Sequence, residues 1–218
     1  MKAVIFDVDG TLWDSTEKVA ISWRMTCARR GVPCRQITGE RLKQEFGKLL
    51  PDIGRSVFPE LPEDAVLRLT EECCEEENRY LLADPPKTYE GVYELFRTLS
   101  GRMPVFIVSN CQAGYIEAML EASGLGSFVT DHLCPGDTGE AKAANIQRII
   151  DRYQLTDAVY VGDTAGDAKA AADAGIPFIF AAYGFGRVKE AAATIHMPAE
   201  LLMYVDMPFP LIKSTDGF

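Results

Sequence analysis

Two aspartates stand two positions apart in the segment Asp7-Val8-Asp9-Gly10-Thr11-Leu12, and their types and spacing suit acid–base and nucleophilic chemistry. The apolar run Ala3 to Phe6 precedes them and predicts a buried strand that ends where the carboxylates begin. Alternate residues of an extended segment point the same way, so Asp7 and Asp9 can face one site. Two like charges held close together separate their pKa values, so one carboxylate can attack while the other donates a proton. A phosphate would be repelled by bare carboxylates, so the site also needs a cation.

Polar residues of a specific kind also follow two later apolar runs. Ser109 and Asn110 follow the run 105–108, and Gly162 to Asp167, with Asp163 and Asp167, follows the run 158–161. The carboxyl ends of parallel strands lie along one edge of a sheet, so these side chains should meet Asp7 and Asp9 there. Lys142 lies between the two runs, near the start of a predicted helix.

The elements that must hold these side chains alternate between strand and helix from about Tyr89 onward. Strands are predicted at Ala3 to Phe6, Val105 to Val108, Phe128 to Thr130, Ala158 to Val161 and Phe178 to Ala181. Helices are predicted at about Gly91 to Leu99, Gln112 to Ser123, Glu140 to Tyr153 and Ala165 to Ala174. This alternation predicts an α/β fold with a Rossmann-like, doubly wound parallel sheet.

A purely helical stretch separates the first strand from the rest. Helices are predicted from Ser15 or Thr16, either of which can be the N-cap, to Arg30, from Gly39 to Phe46, and from Pro62 to Leu82, with one short helix between 51 and 62. The acidic run Glu71 to Glu77 predicts a solvated face of the long helix. We therefore expect a small all-helical cap domain, residues 14–85, inserted into a core made of 1–13 and 86–218.

Together, these segments resemble the four motifs of the haloacid dehalogenase superfamily, in their usual order. The resemblance covers roughly Met1 to Trp13 and Pro86 to Ala182, and the helical insert resembles the C1-type cap of many members. It implies a phosphatase of the phosphoglycolate-phosphatase type that uses Mg²⁺ and an aspartyl-phosphate intermediate. Asp7 would be the nucleophile, and Asp9 the acid that protonates the leaving oxygen and then deprotonates water.

The resemblance also implies ligands for the metal and for the phosphoryl group. Mg²⁺ would bind the carboxylates of Asp7 and Asp163 and the backbone carbonyl of Asp9, with Asp167 as a direct or water-mediated ligand. The phosphoryl oxygens would be held by Ser109, by backbone N–H groups around Asn110, and by Lys142.

The lysine assignment departs from the usual pattern in one respect. Many relatives have proline after the motif lysine, whereas here Ala143 follows Lys142. The alternative candidate, Lys169, belongs to the helix after the last aspartate motif.

The substrate should be selected by the cap domain. Gly47-Lys48 resembles the loop with which similar caps reach the active site. Lys48 and Arg55 could therefore meet a second anionic group of the substrate, such as a carboxylate.

Composition limits the partners and the compartment. The formal net charge of −10 and the absence of a basic stripe argue against nucleic acid, and a small phosphorylated metabolite remains the expected partner. No apolar stretch approaches membrane-spanning length and no secretion signal precedes the first strand, which predicts no membrane partner and a cytoplasmic setting. The spacing of the six cysteines suits neither a zinc ribbon nor a Cys-x-x-Cys pair, so thiols are expected. Both a monomer and a dimer remain plausible.

Other activities of the same superfamily and one of another class stay open. A phosphomutase of the β-phosphoglucomutase type would carry a histidine where this chain has Val19. A dehalogenase would lack the second aspartate, and a phosphonatase would need a Schiff-base lysine in the cap domain, for which Lys48 is conceivable. A phospho-acceptor signalling domain would share Asp7 and Mg²⁺ but would have neither a cap domain nor Asp9.

Overall fold

The computed structural model describes residues 1–206, and residues 207–218 lie outside the described part. Its centre is a sheet of six strands, all parallel, in the order β3-β2-β1-β4-β5-β6. The strands are β1 (Lys2–Phe6), β2 (Val105–Val108), β3 (Asp131–Leu133), β4 (Asp157–Gly162), β5 (Phe178–Ala181) and β6 (Ala193–Ile195). The predicted α/β fold with a doubly wound parallel sheet is confirmed.

Nine α-helices connect or cover these strands in the described residues. They are α1 (Thr16–Arg30), α2 (Gly39–Lys43), α3 (Leu50–Val57), α4 (Glu63–Ala83), α5 (Val92–Ser100), α6 (Tyr115–Ser123), α7 (Pro135–Thr138), α8 (Lys142–Tyr153) and α9 (Ala165–Asp173). Short 3₁₀ turns occupy Gly126–Phe128 and Pro198–Met203. No helix within residues 1–206 combines the length and the apolar composition needed to cross a membrane.

Both faces of the sheet are covered because alternate residues of β1 point to opposite sides. Val4 and Phe6 belong to one buried cluster, which also includes side chains of α4, α5 and α6. Ala3 and Ile5 belong to a second buried cluster with side chains of α8 and α9. Strand β1 therefore lies at the centre of the molecule and carries Asp7 at its buried end.

The third strand was predicted at the wrong place. The predicted strand Phe128 to Thr130 overlaps a 3₁₀ turn, and β3 begins only at Asp131. The Phe128 ring packs edge-on against Tyr93, with ring centroids 5.3 Å apart, so it leaves the line of the sheet. Pairing with β2 starts at Phe106 and Asp131. Strand β6 was not predicted. It has only three residues, Ala193, Thr194 and Ile195, which make too short an apolar run to indicate a strand.

The start of α1 differs from the predicted capping arrangement. Ser15 occupies the N-cap position but makes no capping hydrogen bond with its side chain. Asp14 Oδ1 instead accepts hydrogen bonds from the backbone N–H and the hydroxyl of Thr16, at 3.1 and 2.5 Å. The Ser15 hydroxyl is thereby left for another partner, Asp9. The second helix also ends earlier than predicted, at Lys43, and residues 44–46 continue as a turn.

The first four helices pack on one another above the carboxyl end of the sheet. Trp23 of α1 stacks on Phe58, which follows α3, with ring centroids 6.1 Å apart. Helix α4 contacts both α1 and the core helix α6. We propose that residues 14–85 form an inserted cap domain and that 1–13 and 86–218 form the core.

Candidate active site

The candidate site lies where β1, β2 and β4 end. Asp7 directly follows β1 and donates its backbone N–H to Val161 of β4 at 2.9 Å. Ser109 follows β2 and Asp163 follows β4. The parallel register of these neighbouring strands thus brings Ser109 and Asp163 to Asp7, from which each is more than a hundred positions away in the chain.

Lys142 bridges two of the buried carboxylates. Its Nζ lies 2.8 Å from Asp7 Oδ1 and 2.6 Å from Asp167 Oδ1. Burial opposes its charge, but Asp167 and Asp7 more than offset that effect and raise the pKa of Lys142 well above its usual value. The alternative, Lys169, pairs with Asp173 at 2.6 Å on the exposed side of α9. The structure therefore brings Lys142, and not Lys169, to Asp7.

Asp7 is buried and faces opposing influences. Burial and the nearby charge of Asp167 raise its pKa, whereas Lys142 and a hydrogen bond with the Ser109 side chain lower it. The contacts with Lys142 and Ser109 fix the direction in which the carboxylate points, which a nucleophile requires.

Asp163 is enclosed by glycine-containing turns. Its Oδ2 accepts the backbone N–H of Phe185 at 2.7 Å. A Cβ at Gly10, where φ is +80°, would lie 2.2 Å from this same oxygen, and one at Gly184 would lie 2.4 Å from the Asp163 Cβ. Burial, followed by the charges of Asp167 and Asp7, raises the pKa of Asp163 to about 8.

Three carboxylates form a group with the chemistry of a divalent-cation site. Asp7, Asp163 and Asp167 each offer an oxygen, and these oxygens lie within 4.8 Å of one another. All three residues are at most 3% exposed, and Lys142 supplies one positive charge against three potential negative ones. Carboxylate oxygens suit Mg²⁺, and a divalent cation would offset the remaining negative charge, so the residues fit such an ion.

Asp167 also has a structural task in this group. Its Oδ2 accepts hydrogen bonds from the backbone N–H groups of Asp163 and Thr164 and from the Thr164 hydroxyl, at 3.2, 2.9 and 2.7 Å. Asp167 and Thr164 form a capping box at the start of α9. Asp167 therefore holds the Asp163 turn and Lys142 in place whether or not it also touches a metal.

Asp9 is held by three side-chain donors and is not a member of the three-carboxylate group. Its Oδ1 accepts from Trp13 Nε1 at 3.1 Å and from the Ser15 hydroxyl at 2.5 Å, and both oxygens lie 2.8 Å from the Tyr115 hydroxyl. Burial raises the pKa of Asp9 to about 7, against the lowering effect of the Ser15 and Tyr115 hydrogen bonds. Asp9 and Asp7 line one small cavity. A carboxyl group with a pKa near neutrality can both give and take a proton there.

Tyr115→Phe should reduce turnover roughly tenfold because Asp9 loses a donor that fixes its orientation towards the cavity. The change removes one hydroxyl and keeps the ring that packs edge-on against Trp13. Steady-state kinetics with a generic aryl phosphate would measure the effect.

Tyr153→Phe is the matched control, since the Tyr153 hydroxyl donates a hydrogen bond to Asp131 at 3.0 Å, away from the cavity. Equal losses in both variants, or none in either, would contradict a positioning role for Tyr115.

Asn110 connects the core to the cap domain. Its Nδ2 donates to the carbonyl of Gly47 at 2.9 Å, and Gly47 has φ +91°. A Cβ at Gly47 would lie 3.3 Å from Thr164, so this loop reaches the aspartate motif after β4. The predicted Gly47-Lys48 loop thus does extend to the site, through its backbone. The predicted backbone contacts of Asn110 with a phosphoryl group remain a prediction.

The two cap-domain cations are engaged elsewhere. Lys48 pairs with Glu45 at 2.5 Å, and Arg55 pairs with Asp52 and Glu63, both at 2.7 Å. Neither cation is among the described residues that line the cavity beside Asp7. The structure therefore does not bring Lys48 and Arg55 together with the other predicted site residues.

Glu77 of α4 is a site residue that the sequence interpretation missed. The acidic run was predicted to be solvated, but Glu77 is 4% exposed and lines the cavity. Its carboxylate accepts hydrogen bonds from Trp23 Nε1 at 2.6 Å and from Gln112 Nε2 at 3.0 Å. Burial raises its pKa to about 7. Its spacing could have revealed it, because Cys73, Glu77 and Leu81 recur every four residues on the buried face of α4.

Glu77→Gln should change how stability depends on pH. The pKa is raised in the folded chain, so the folded state holds the proton more tightly than the unfolded one. This contribution is full below about pH 4.5, falls as pH rises and is lost above about pH 7. The variant lacks this term, so its stability relative to the parent should rise by on the order of 2 kcal/mol from pH 5 to pH 8. Denaturant unfolding with chelator would measure it, and an equal difference at both pH values would contradict it.

Comparisons with known proteins agree with this geometry. A family model described as haloacid dehalogenase-like hydrolase matches residues 1–175. A phosphoglycolate phosphatase of Xylella fastidiosa is 31% identical over 193 residues, which span 84% of this chain and 81% of that protein. The phosphoglycolate phosphatase of Xanthomonas campestris is 30% identical over 192 residues, 84% of each chain.

Solved structures share the fold. A haloacid dehalogenase-like hydrolase from Streptococcus pneumoniae superposes with a TM-score of 0.76 at 23% identity, over 93% of this chain and 97% of that one. CbbY from Rhodobacter sphaeroides, crystallised with phosphate, gives 0.74 at 19% identity, over 94% and 99% of the two chains. The chain belongs to the haloacid dehalogenase-like hydrolases. Within that family it is an enzyme of the phosphatase type.

Proposed function

We propose that the chain is a Mg²⁺-dependent phosphatase that hydrolyses a small phosphorylated metabolite through an aspartyl-phosphate on Asp7. The observation that carries this proposal is the group of Asp7, Asp163 and Asp167 around Lys142, beside a second carboxylate, Asp9, in the same cavity. The phosphoglycolate phosphatases among the relatives support the phosphomonoester class and make 2-phosphoglycolate the first substrate to test.

In the first step, a carboxylate oxygen of Asp7 attacks phosphorus and the bond to the leaving oxygen breaks. Asp9 gives its proton to that oxygen, so the product leaves as a neutral alcohol. In the second step, Asp9 takes a proton from water, which attacks phosphorus and breaks the bond to Asp7. Inorganic phosphate leaves, and both aspartates return to their starting states.

The remaining residues orient Asp7 and offset the negative charge of the phosphoryl group. Lys142 and Ser109 orient Asp7, and Lys142 also offsets negative charge on the phosphoryl group as it transfers. Mg²⁺, held by Asp7 and Asp163 together with the Asp9 carbonyl and Asp167, would supply charge neutralisation and a fixed orientation of the phosphoryl oxygens.

The cap domain would exclude water during the first step. The hydrogen bond from Asn110 to Gly47 joins the two domains directly above the site and supports a closed state in which the cavity is only about 30 Å³. Substrate would enter and product would leave when this hydrogen bond breaks and the cap domain is displaced.

Two other activities are less well supported. A phosphomutase would need a group on α1 that restrains hydrolysis, but Val19 there is fully buried and apolar. A phospho-acceptor signalling domain has no use for an acid held by Trp13, Ser15 and Tyr115.

The direct test measures phosphate release from an aryl phosphate and from a series of phosphorylated metabolites. We expect many turnovers with Mg²⁺ and a loss of roughly a hundredfold or more when the metal is chelated. A single phosphorylation per chain would favour the signalling domain, and isomerisation of a sugar phosphate without net release would favour the mutase. Either result would overturn the proposal.

A further inference from the structure

The active-site cavity continues into a larger groove between the cap domain and the core. The cavity of about 30 Å³ and the groove of about 640 Å³ share four lining residues: Leu50, Asn110, Cys111 and Gln112. The groove is walled by parts of α3 and α4 on one side and by residues that follow β2 and β3 on the other. A leaving group bonded to a phosphoryl at Asp7 would therefore extend past these shared residues.

The charged residues in this space are acidic. Glu77 lines the cavity, and Glu71, Glu75 and Glu140 line the groove. Among the described residues that line either space there is no lysine, arginine or histidine. Lys142 is held between Asp7 and Asp167, on the phosphoryl side.

Glu77 has unused capacity to accept hydrogen bonds. A carboxylate offers about four acceptor positions, and the neutral donors Trp23 and Gln112 supply one hydrogen bond to each oxygen. Asn110 adds a second acceptor, because its Oδ1 is buried without a partner. The bond from its Nδ2 to the Gly47 carbonyl fixes which end of the amide is the oxygen.

The charge of the lining favours a cation over a second anion. Trp23 and Tyr115 line the cavity together with Glu77, and the indole N–H edge of Trp23 points at the Glu77 carboxylate. A desolvated carboxylate is well matched by an ammonium group, which brings both the opposite charge and hydrogen-bond donors. A second carboxylate would meet Glu77 with a like charge, and no described lining residue is a cation that could offset it.

We propose that the leaving alcohol of the substrate carries an ammonium group, which Glu77 and Asn110 recognise, and that a carboxylate at this position is rejected. The inference rests on the proposed phosphatase activity and names the substrate class as small amino-alcohol phosphomonoesters. It makes Glu77 a specificity-determining residue, and it predicts a preference opposite in charge to that of an enzyme selective for 2-phosphoglycolate.

Three phosphomonoesters of two-carbon alcohols test the proposal, since they differ in their terminal group. We expect kcat/KM with Mg²⁺ to fall from phosphoethanolamine to 2-hydroxyethyl phosphate to 2-phosphoglycolate, with roughly tenfold or more between the first and the last. Glu77→Gln should reduce this ratio to near unity, chiefly through KM. Glu72→Gln is the matched control on the same helix, because Glu72 pairs with Arg30 on the exposed face and should keep the parent's ratio.

The outcomes separate this inference from the function on which it rests. Hydrolysis of all three compounds with 2-phosphoglycolate preferred, or with no preference, would overturn the ammonium proposal and leave the phosphatase intact. An unchanged ratio in a folded Glu77→Gln enzyme would remove Glu77 from the recognition. No hydrolysis of these compounds or of an aryl phosphate would overturn both proposals.

Discussion

Asp7→Asn is expected to lower turnover by roughly 10⁴-fold or more while the chain stays folded, the size of loss seen when a covalent nucleophile is removed. The amide has nearly the same shape as the carboxylate, so Lys142 and Ser109 keep a partner at this position. It lacks the anionic oxygen that would attack phosphorus. Phosphate release with a saturating aryl phosphate and Mg²⁺ would measure the loss.

Stability gives the control for this variant. Burial and the charge of Asp167 raise the pKa of Asp7, so the ionised carboxylate is held at a cost in the metal-free chain. Removing its charge should leave the metal-free melting temperature unchanged or slightly higher. A folded Asp7→Asn enzyme with more than about a hundredth of the parent activity would contradict the nucleophile assignment.

Lys142→Met should lower kcat by roughly 10³-fold and destabilise the metal-free chain by about 3–5 kcal/mol. The ammonium is 2.8 Å from Asp7 and 2.6 Å from Asp167, and all three side chains are buried. Without it, two desolvated carboxylates lose their partner and the phosphoryl group loses a positive charge. Kinetics with Mg²⁺ and unfolding in chelator would measure the two effects separately.

Lys169→Met is the matched control, because it removes the same side chain from an ion pair with Asp173 in which the lysine is 74% exposed. We expect it to change stability by less than about 1 kcal/mol and to leave kcat unchanged. Similar losses in both variants would mean that the contacts of Lys142 with Asp7 and Asp167 have no special role in catalysis. If Lys142→Met is destabilised but keeps the parent's kcat, Lys142 has a structural role and no catalytic one.

The sheet edge could be predicted from sequence because the three strands that form the site, β1, β2 and β4, are short apolar runs followed at once by polar residues. Strands β2 and β5 begin and end at the predicted residues, and β1 and β4 extend the predicted runs slightly. Parallel pairing then brings Asp7, Ser109 and Asp163 to one edge without any knowledge of packing. Strand β3 failed because Phe128 is apolar for a reason outside the sheet, its contact with Tyr93.

The residues around Asp9 and the cap-domain side of the cavity could not be predicted in the same way. Tyr115 and Glu77 line the cavity where α6 and α4 pack together. The spacing within α4 marks Glu77 as buried, but it does not show which helix Glu77 faces. Glu77 belongs to an acidic run whose other glutamates are exposed to solvent or form ion pairs with arginines of α1. Arg55 was predicted to meet the substrate, but it forms ion pairs with Asp52 and Glu63 instead. The sequence alone does not distinguish these two roles for a cation in the cap domain.

The covalent intermediate is the most direct measure of the central claim, that these carboxylates form one phosphoryl-transfer site. Asp9→Asn should slow the hydrolytic step, so mixing this variant with Mg²⁺ and a phosphomonoester, quenching in acid and mapping peptides by mass should find one phosphoryl group on Asp7. The label should be absent from the Asp7→Asn/Asp9→Asn double variant. Labelling at any other residue, or product release from Asp9→Asn at the parent rate without labelled protein, would contradict the account.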